Sequence, residues 1–173
     1  AREGPARTLV YTSGCFVLGE TGDEPAHEDA STADPPDLVA WRPAHEERVL
    51  AAGDDGLATS VIRPGMVYGG RGGTFAMFFR SAEREGAARF VGDGANRWSP
   101  VYLGDVARLY RRVLEHEGRG IYHCAEPAER VADLAAAASR AAGSGETRSL
   151  PVSEARGELG AFADALTMDQ VVG

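Results

Sequence analysis

Short apolar and β-branched runs alternate along this chain with stretches whose apolar residues recur at helical spacing. Thr8 to Thr12 (TLVYT) predicts a buried strand ending at Ser13-Gly14, and Thr59 to Ile62 predicts a second. The second breaks into Arg63-Pro64-Gly65 and runs on through Met66-Val67-Tyr68 to paired glycines. Pro64 removes a ladder donor and fixes φ, and Gly65 lets the backbone approach something bulky. Ligands of open α/β sheets bind where strand ends meet such loops, so this segment is the first candidate for a site wall.

Helices are predicted from Trp41, with Pro43 in the first turn, then over Phe75 to Glu85, 106–116, 129–142 and 153–166. Asp105 stands at the start of the third as an N-cap or first-turn acid. Extended pieces are expected at Arg89 to Val91, Ser99 to Leu103, Gly120 to Cys124 and 147–151. Residues 20–37 (ETGDEPAHEDASTADPPD) are acidic and proline-rich; irregular stretches of that length tend to be functional or mobile. The β-loop-α alternation indicates an α/β fold with a mostly parallel sheet covered by helices, and 173 residues suit one domain.

A formal charge of −8 argues against nucleic acid and anionic membrane surfaces as partners. No apolar run approaches the roughly 20 residues that cross a bilayer. All 18 basic residues are arginine, which removes lysine chemistry. Cys15 and Cys124 form no motif, so reduced thiols in a cytoplasmic setting are the default. His27 and His45 sit beside acids in a loop and on a solvated helix face, a poor basis for a metal site. The runs Glu46-Glu47-Arg48 and Glu83-Arg84-Glu85 read as solvated helix surface.

Four pieces recur in one order: YTSGCFVLG (11–19), WRPAHEERVL (41–50), VIRPGMVYGG (61–70) and WSPVYLGDVARLY (98–110). With these the chain resembles the extended short-chain dehydrogenase/reductases, the NAD(P)-dependent epimerase/dehydratase family, in its atypical branch. The resemblance implies the C-terminal part of a Rossmann-like, doubly wound parallel sheet with a small α/β substrate-binding portion. It divides a single partial domain over 1–173 into a sheet core and nicotinamide side at 8–70 and a substrate-binding portion at 71–173. Nothing in the sequence matches the family's G-x-x-G-x-x-G pyrophosphate loop, so the chain looks like the C-terminal portion of a longer protein.

The resemblance also assigns residues. It implies NAD or NADP as cofactor, held by Thr12, Ser13, Gly14, Arg42, Pro64, Gly65, Met66 and Val67. Anchored on Glu46, the family's catalytic lysine falls at Arg42 and its tyrosine at Leu38, which can transfer no proton. Ser13 and Tyr68 are then the surrogate catalytic candidates. Arg71, Arg97 and Trp98 fall in the substrate portion, with Trp98 where many relatives hold a diphosphate-binding arginine. Two classes of function stay open: an epimerase/dehydratase-like oxidoreductase acting on a sugar-like or other small polar substrate, or a non-catalytic NAD(P)-binding sensor or scaffold, or an inactive fragment. A homo-oligomer is expected if the sheet leaves an apolar edge uncovered.

Overall fold

A computed structural model describes residues 7–70 and 72–173. In chain order it contains β1 (Arg7–Thr12), α1 (Arg42–Ala51), β2 (Leu57–Pro64), β3 (Met66–Tyr68), α2 (Phe75–Glu85), β4 (Ala88–Val91), β5 (Arg97–Trp98) and β6 (Pro100–Tyr102). There follow α3 (Leu103–Glu115), β7 (Gly120–Cys124), β8 (Glu129–Arg130), α4 (Val131–Ala141), β9 (Thr147–Leu150), α5 (Val152–Leu159) and α6 (Phe162–Ala165). The parallel sheet β1-β2-β7 has β2 at its centre, in register Thr12↔Ile62 and Pro64↔Cys124. Ala58 to Pro64 are buried in succession, as in a central parallel strand covered on both faces, although Thr59, Ser60 and Arg63 are polar. β1 has no second strand partner among the described residues, and Leu9 on it is 42% exposed. Helices α1 and α3 pack on this sheet.

Three small pairings surround it: β3 with β6 and β4 with β9, both parallel, and β5 with β8, antiparallel. A second core lies among α2, α4, β4 and β9. Phe75, Phe78 and Ala82 recur at helical spacing along α2 and are all buried there. Trp98 is 1% exposed and stacks on Phe78 with ring centroids 6.0 Å apart and planes 14° from parallel. Such aromatic pairs contribute about 0.5–1.5 kcal/mol beyond the area they bury.

Several expectations need correction. The segment after Ile62 is strand and not loop: β2 continues to Pro64, and Met66–Tyr68 pairs with β6. The helix expected over 153–166 breaks at Gly160, whose φ of 60° ends α5 before α6 begins. Residues 20–37 are tied down and not free. Thr21 N–H donates to Asp169 O at 3.1 Å, Ala26 N–H to Val171 O at 3.0 Å, and His123 N–H to Glu28 Oε1 at 2.9 Å. Glu46 is not solvated surface but 3% exposed. It receives Arg63 of the central strand, with Nη2 at 2.5 Å and Nε at 3.1 Å from Oε2. Arg63 also donates to Glu28 O at 3.3 Å, so one buried cation joins strand, helix and acidic loop.

Candidate functional site

The carboxyl ends of β1 and β2 and the start of β3 meet at a cavity of about 280 Å³. The strand ladder carries on past β1, with Ser13 N–H donating to Ile62 O at 2.8 Å. Past β2, Gly65 N–H donates to Cys124 O at 2.9 Å and Met66 N–H to Ser99 O at 2.9 Å. Gly65 is demanded by this crossing, because a Cβ there would lie 2.3 Å from the Ser99 carbonyl oxygen. The bulky neighbour the sequence anticipated is therefore backbone.

Of the residues the sequence singled out, Thr12, Ser13, Gly14, Pro64, Gly65, Met66 and Val67 line this cavity. Arg42 does not line it but abuts its rim, since a Cβ on Gly14 would lie 3.2 Å from Arg42 Nη1. Arg42 also stacks at 5.3 Å over Trp41, and its Nε is buried without a partner. Tyr68 lies elsewhere. Met66 and Val67 meet the cavity, while Tyr68 lines a separate one of about 350 Å³ with Phe75, Phe79, Pro100 and Glu126. There its hydroxyl donates to Glu126 Oε1 at 3.1 Å. Burial, and then the Glu126 carboxylate, hold that phenol above its ordinary range, the opposite of what an acid catalyst at neutral pH needs.

The three residues of the expected substrate portion are not brought together. Arg71 lies outside the described residues. Arg97 donates to Asp23 Oδ1 at 2.6 Å and lines a different cavity. Trp98 is sealed in the second core, where its ring packs against Phe75 and Phe78; the structure gives it a packing role in place of the substrate contact expected of it.

Sequence reasoning missed Phe16, Cys15, Gly73, Thr74 and Gln170 in the cavity wall. It also missed Tyr110 of α3, whose hydroxyl is hydrogen-bonded to that of Thr12. Gln170 carried no legible signal, because it reaches the cavity only when the 168–173 segment folds back beside Ser99. No charged side chain lines the cavity among the described residues. Burial pushes the Cys15 thiol up to about 12 despite the nearby Arg63 guanidinium, and Cys15 Sγ donates to Arg63 O at 3.2 Å, so it is not a nucleophile. Two polar atoms of cavity-lining residues are buried without partners: Ser13 Oγ and Gln170 Oε1. Tyr11 Oη, Arg42 Nε and Trp98 Nε1, none of them from cavity-lining residues, are buried without partners as well.

A family model described as the 3-beta hydroxysteroid dehydrogenase/isomerase family matches residues 2–114. The chain is 30% identical over 125 residues, 70% of its length, to an uncharacterized protein of Saccharomyces cerevisiae, YLL056C, and covers 41% of that protein. It is 32% identical over 116 residues, 62% of its length, to a 2-alkyl-3-oxoalkanoate reductase of Stenotrophomonas maltophilia, covering 34% of it. It thus spans less than half the length of these two relatives. Among solved structures, the human epimerase family protein SDR39U1 with NADPH aligns at a TM-score of 0.82 and 21% identity, over 99% of this chain and 58% of that one. The Thermus thermophilus UDP-glucose 4-epimerase complex with NAD aligns at 0.72 and 25% identity, over 84% and 51%. These likenesses show a Rossmann-like α/β fold.

Proposed function

The chain belongs to the 3-beta hydroxysteroid dehydrogenase/isomerase family, and from that premise we propose that it forms the nicotinamide and substrate side of an NAD(P)-dependent oxidoreductase of epimerase, dehydratase or reductase type. One observation carries the reading: the ends of β1 and β2 and the start of β3 converge on a single cavity that has Ser13, Gly14, Pro64 and Gly65 in its wall and, among the described residues, no charged lining. The relatives whose structures hold NAD or NADPH support the cofactor class.

The residues present fit the nicotinamide end of such a cofactor. Pro64, Met66 and Val67 offer an apolar wall for a flat ring, while Gly14 and Gly65 leave the backbone bare beside it. Arg42, whose Nη1 lies beside Gly14 at the rim, is placed to hold ribose hydroxyls. When bound, the dinucleotide gives or takes a hydride at the substrate carbon. The chain's own part is to orient and polarise: Ser13 Oγ–H donates to the substrate oxygen, favouring the negative charge that gathers there. Residues 8–70 would supply this side, and 71–173 the substrate-binding portion, for a sugar-like or other small polar substrate.

A second reading has its own support. No histidine, tyrosine, aspartate or glutamate lines the cavity among the described residues, and Leu38, at the family's tyrosine position, is 37% exposed on a short 3-10 turn. A protein that binds the cofactor without turning it over needs none of these.

Hydride exchange between NAD(P)H and carbonyl substrates, measured in the full-length protein, separates the two. In the first reading Ser13→Ala lowers kcat/KM by about 10²-fold, the scale of losing one oxyanion donor, and Tyr68→Phe changes it by less than about threefold. Cofactor binding with no turnover on any carbonyl would establish the second.

A further inference from the structure

The cavity of about 350 Å³ around Tyr68 has a chemistry of its own. β3 gives it Tyr68, α2 gives Phe75 and Phe79, and α4 gives Leu134, Ala137 and Ala141 at helical spacing. The Tyr68 and Phe75 rings lie 5.7 Å apart between centroids, tilted by 54°. Two carboxylates, Glu126 and Glu129, line the same cavity from the stretch that joins β7 to α4. The Tyr68 hydroxyl and the Tyr102 N–H, each 3.1 Å from Glu126 Oε1, serve the hydrogen bonding of that carboxylate but not its charge. Burial, and then Glu126 itself, keep the phenol neutral. No arginine or histidine lines the cavity, and neither carboxylate has an ion pair among the described residues. An unpaired acid in open water signifies nothing. These two border aromatic and aliphatic walls around a space large enough for a small molecule.

The chemistry of the occupant follows by exclusion. Two carboxylates repel an anion. They are too few for a metal ion, and among the described residues no three histidine, cysteine or acidic side chains gather to hold one. A hydrated inorganic cation gains nothing from Phe75, Phe79 and Leu134. An organic cation gains on both counts: carboxylates and ring faces attract its charge, and its apolar body displaces water from the walls. We propose that this cavity binds a monovalent organic cation, an ammonium group carried on an apolar body about the size of one aromatic ring. Nothing in this assignment depends on the nicotinamide reading, since the strand-end cavity shares none of its lining residues.

The test is titration of the full-length protein with 2-phenylethylammonium and with 2-phenylethanol, which match in shape and differ in charge, followed through backbone amide NMR signals. The ammonium should bind about tenfold more tightly in dilute buffer, with shifts centred on Tyr68, Phe79, Glu126 and Leu134. Its advantage should shrink by about threefold or more between about 20 and 500 mM salt, as screening of partly exposed charges requires. Glu126→Gln/Glu129→Gln, which keeps an acceptor for Tyr68 and Tyr102, should bring the probes to within about twofold by weakening the ammonium alone. Equal affinity in the unaltered protein overturns the proposal and leaves an apolar groove indifferent to charge, as a partner helix or a neutral ligand would use. An unchanged preference in the double variant overturns it too, as does the failure of the ammonium to bind at millimolar concentration. Shifts centred on the acidic residues 20–37 do the same, because they mark unspecific attraction to acid. Should the double variant fail to fold, Glu129→Gln at its exposed position and the salt series still decide it: a preference unmoved by both overturns it.

Discussion

Val67 and Tyr68 are neighbours on β3 and open onto two different cavities. Val67 meets one of about 280 Å³, in whose walls Ser13 Oγ and Gln170 Oε1 are buried without partners. Tyr68 meets one of about 350 Å³, where its hydroxyl donates to Glu126, which also accepts from Tyr102 N–H at 3.1 Å. The larger cavity carries the more conspicuous chemistry, a phenol against a carboxylate, yet those groups already answer one another. In the wall of the smaller one Thr12 is bonded to Tyr110 and Cys15 to Arg63 O, while Ser13 Oγ and Gln170 Oε1 are not answered. The two walls differ in how far the chain itself pairs their polar groups, and a carboxylate and a phenol that answer one another complete the fold.

That contrast is sharpest where a satisfied buried pair is broken. Removing Arg63 as Arg63→Met strands the Glu46 carboxylate, 3% exposed, with no counter-charge. Chemical denaturation should show a loss of about 3–5 kcal/mol, and the double variant Glu46→Leu/Arg63→Met should recover most of it. A single variant within about 1 kcal/mol of the parent would mean that the pair is solvated after all. Next in size is the satisfied phenol. Tyr68→Phe should cost about 1 kcal/mol by the same measurement, while Ser13→Ala, which deletes an unpartnered hydroxyl, should cost nothing or stabilise the ligand-free chain. Equal losses at both positions would erase the distinction between the two cavities.

The smallest effect is on pH. Burial, and next to it the Arg63 guanidinium, outweigh the Glu28 carboxylate and hold His123 below its ordinary 6.5. The unfolded chain then binds the proton more readily, so the contribution of His123 is fully present above 6.5 and is lost as pH falls below it. Melting temperature should drop between pH 7.5 and 5.5, and less so in His123→Gln. An identical drop in both proteins would assign the effect to other groups.

Much of this was legible in the sequence, for physical reasons. A central parallel strand is buried on both faces, and Thr59 to Ile62 announces it through three β-branched residues in four. Strand ends announce themselves through Ser13-Gly14 and Pro64-Gly65, where the ladder stops and a side chain or its absence matters. What failed depended on partners distant in sequence. Glu46 reads as one more surface acid until Arg63, 17 residues away, is laid beside it. Trp98 looks available for a substrate until Phe78 stacks on it. Tyr68 follows Val67 by one residue, yet it opens onto a separate cavity where Glu126, 58 residues away, receives its hydroxyl. Gln170 is invisible for the same reason at greater range, since 151 residues separate it from the Gly19 carbonyl that orients its amide.

The central claim is that the neutral cavity at the strand ends receives the nicotinamide end of a dinucleotide. Reduced nicotinamide mononucleotide carries that end without the pyrophosphate-linked remainder, so its binding depends on this cavity alone. Titrating it while following backbone amide NMR signals tests the claim most directly. The account predicts saturable shifts at Ser13, Gly14, Gly65 and Val67, with Glu126 and Tyr68 unmoved. Shifts centred on Tyr68 and Glu126, or none at millimolar probe, would contradict it.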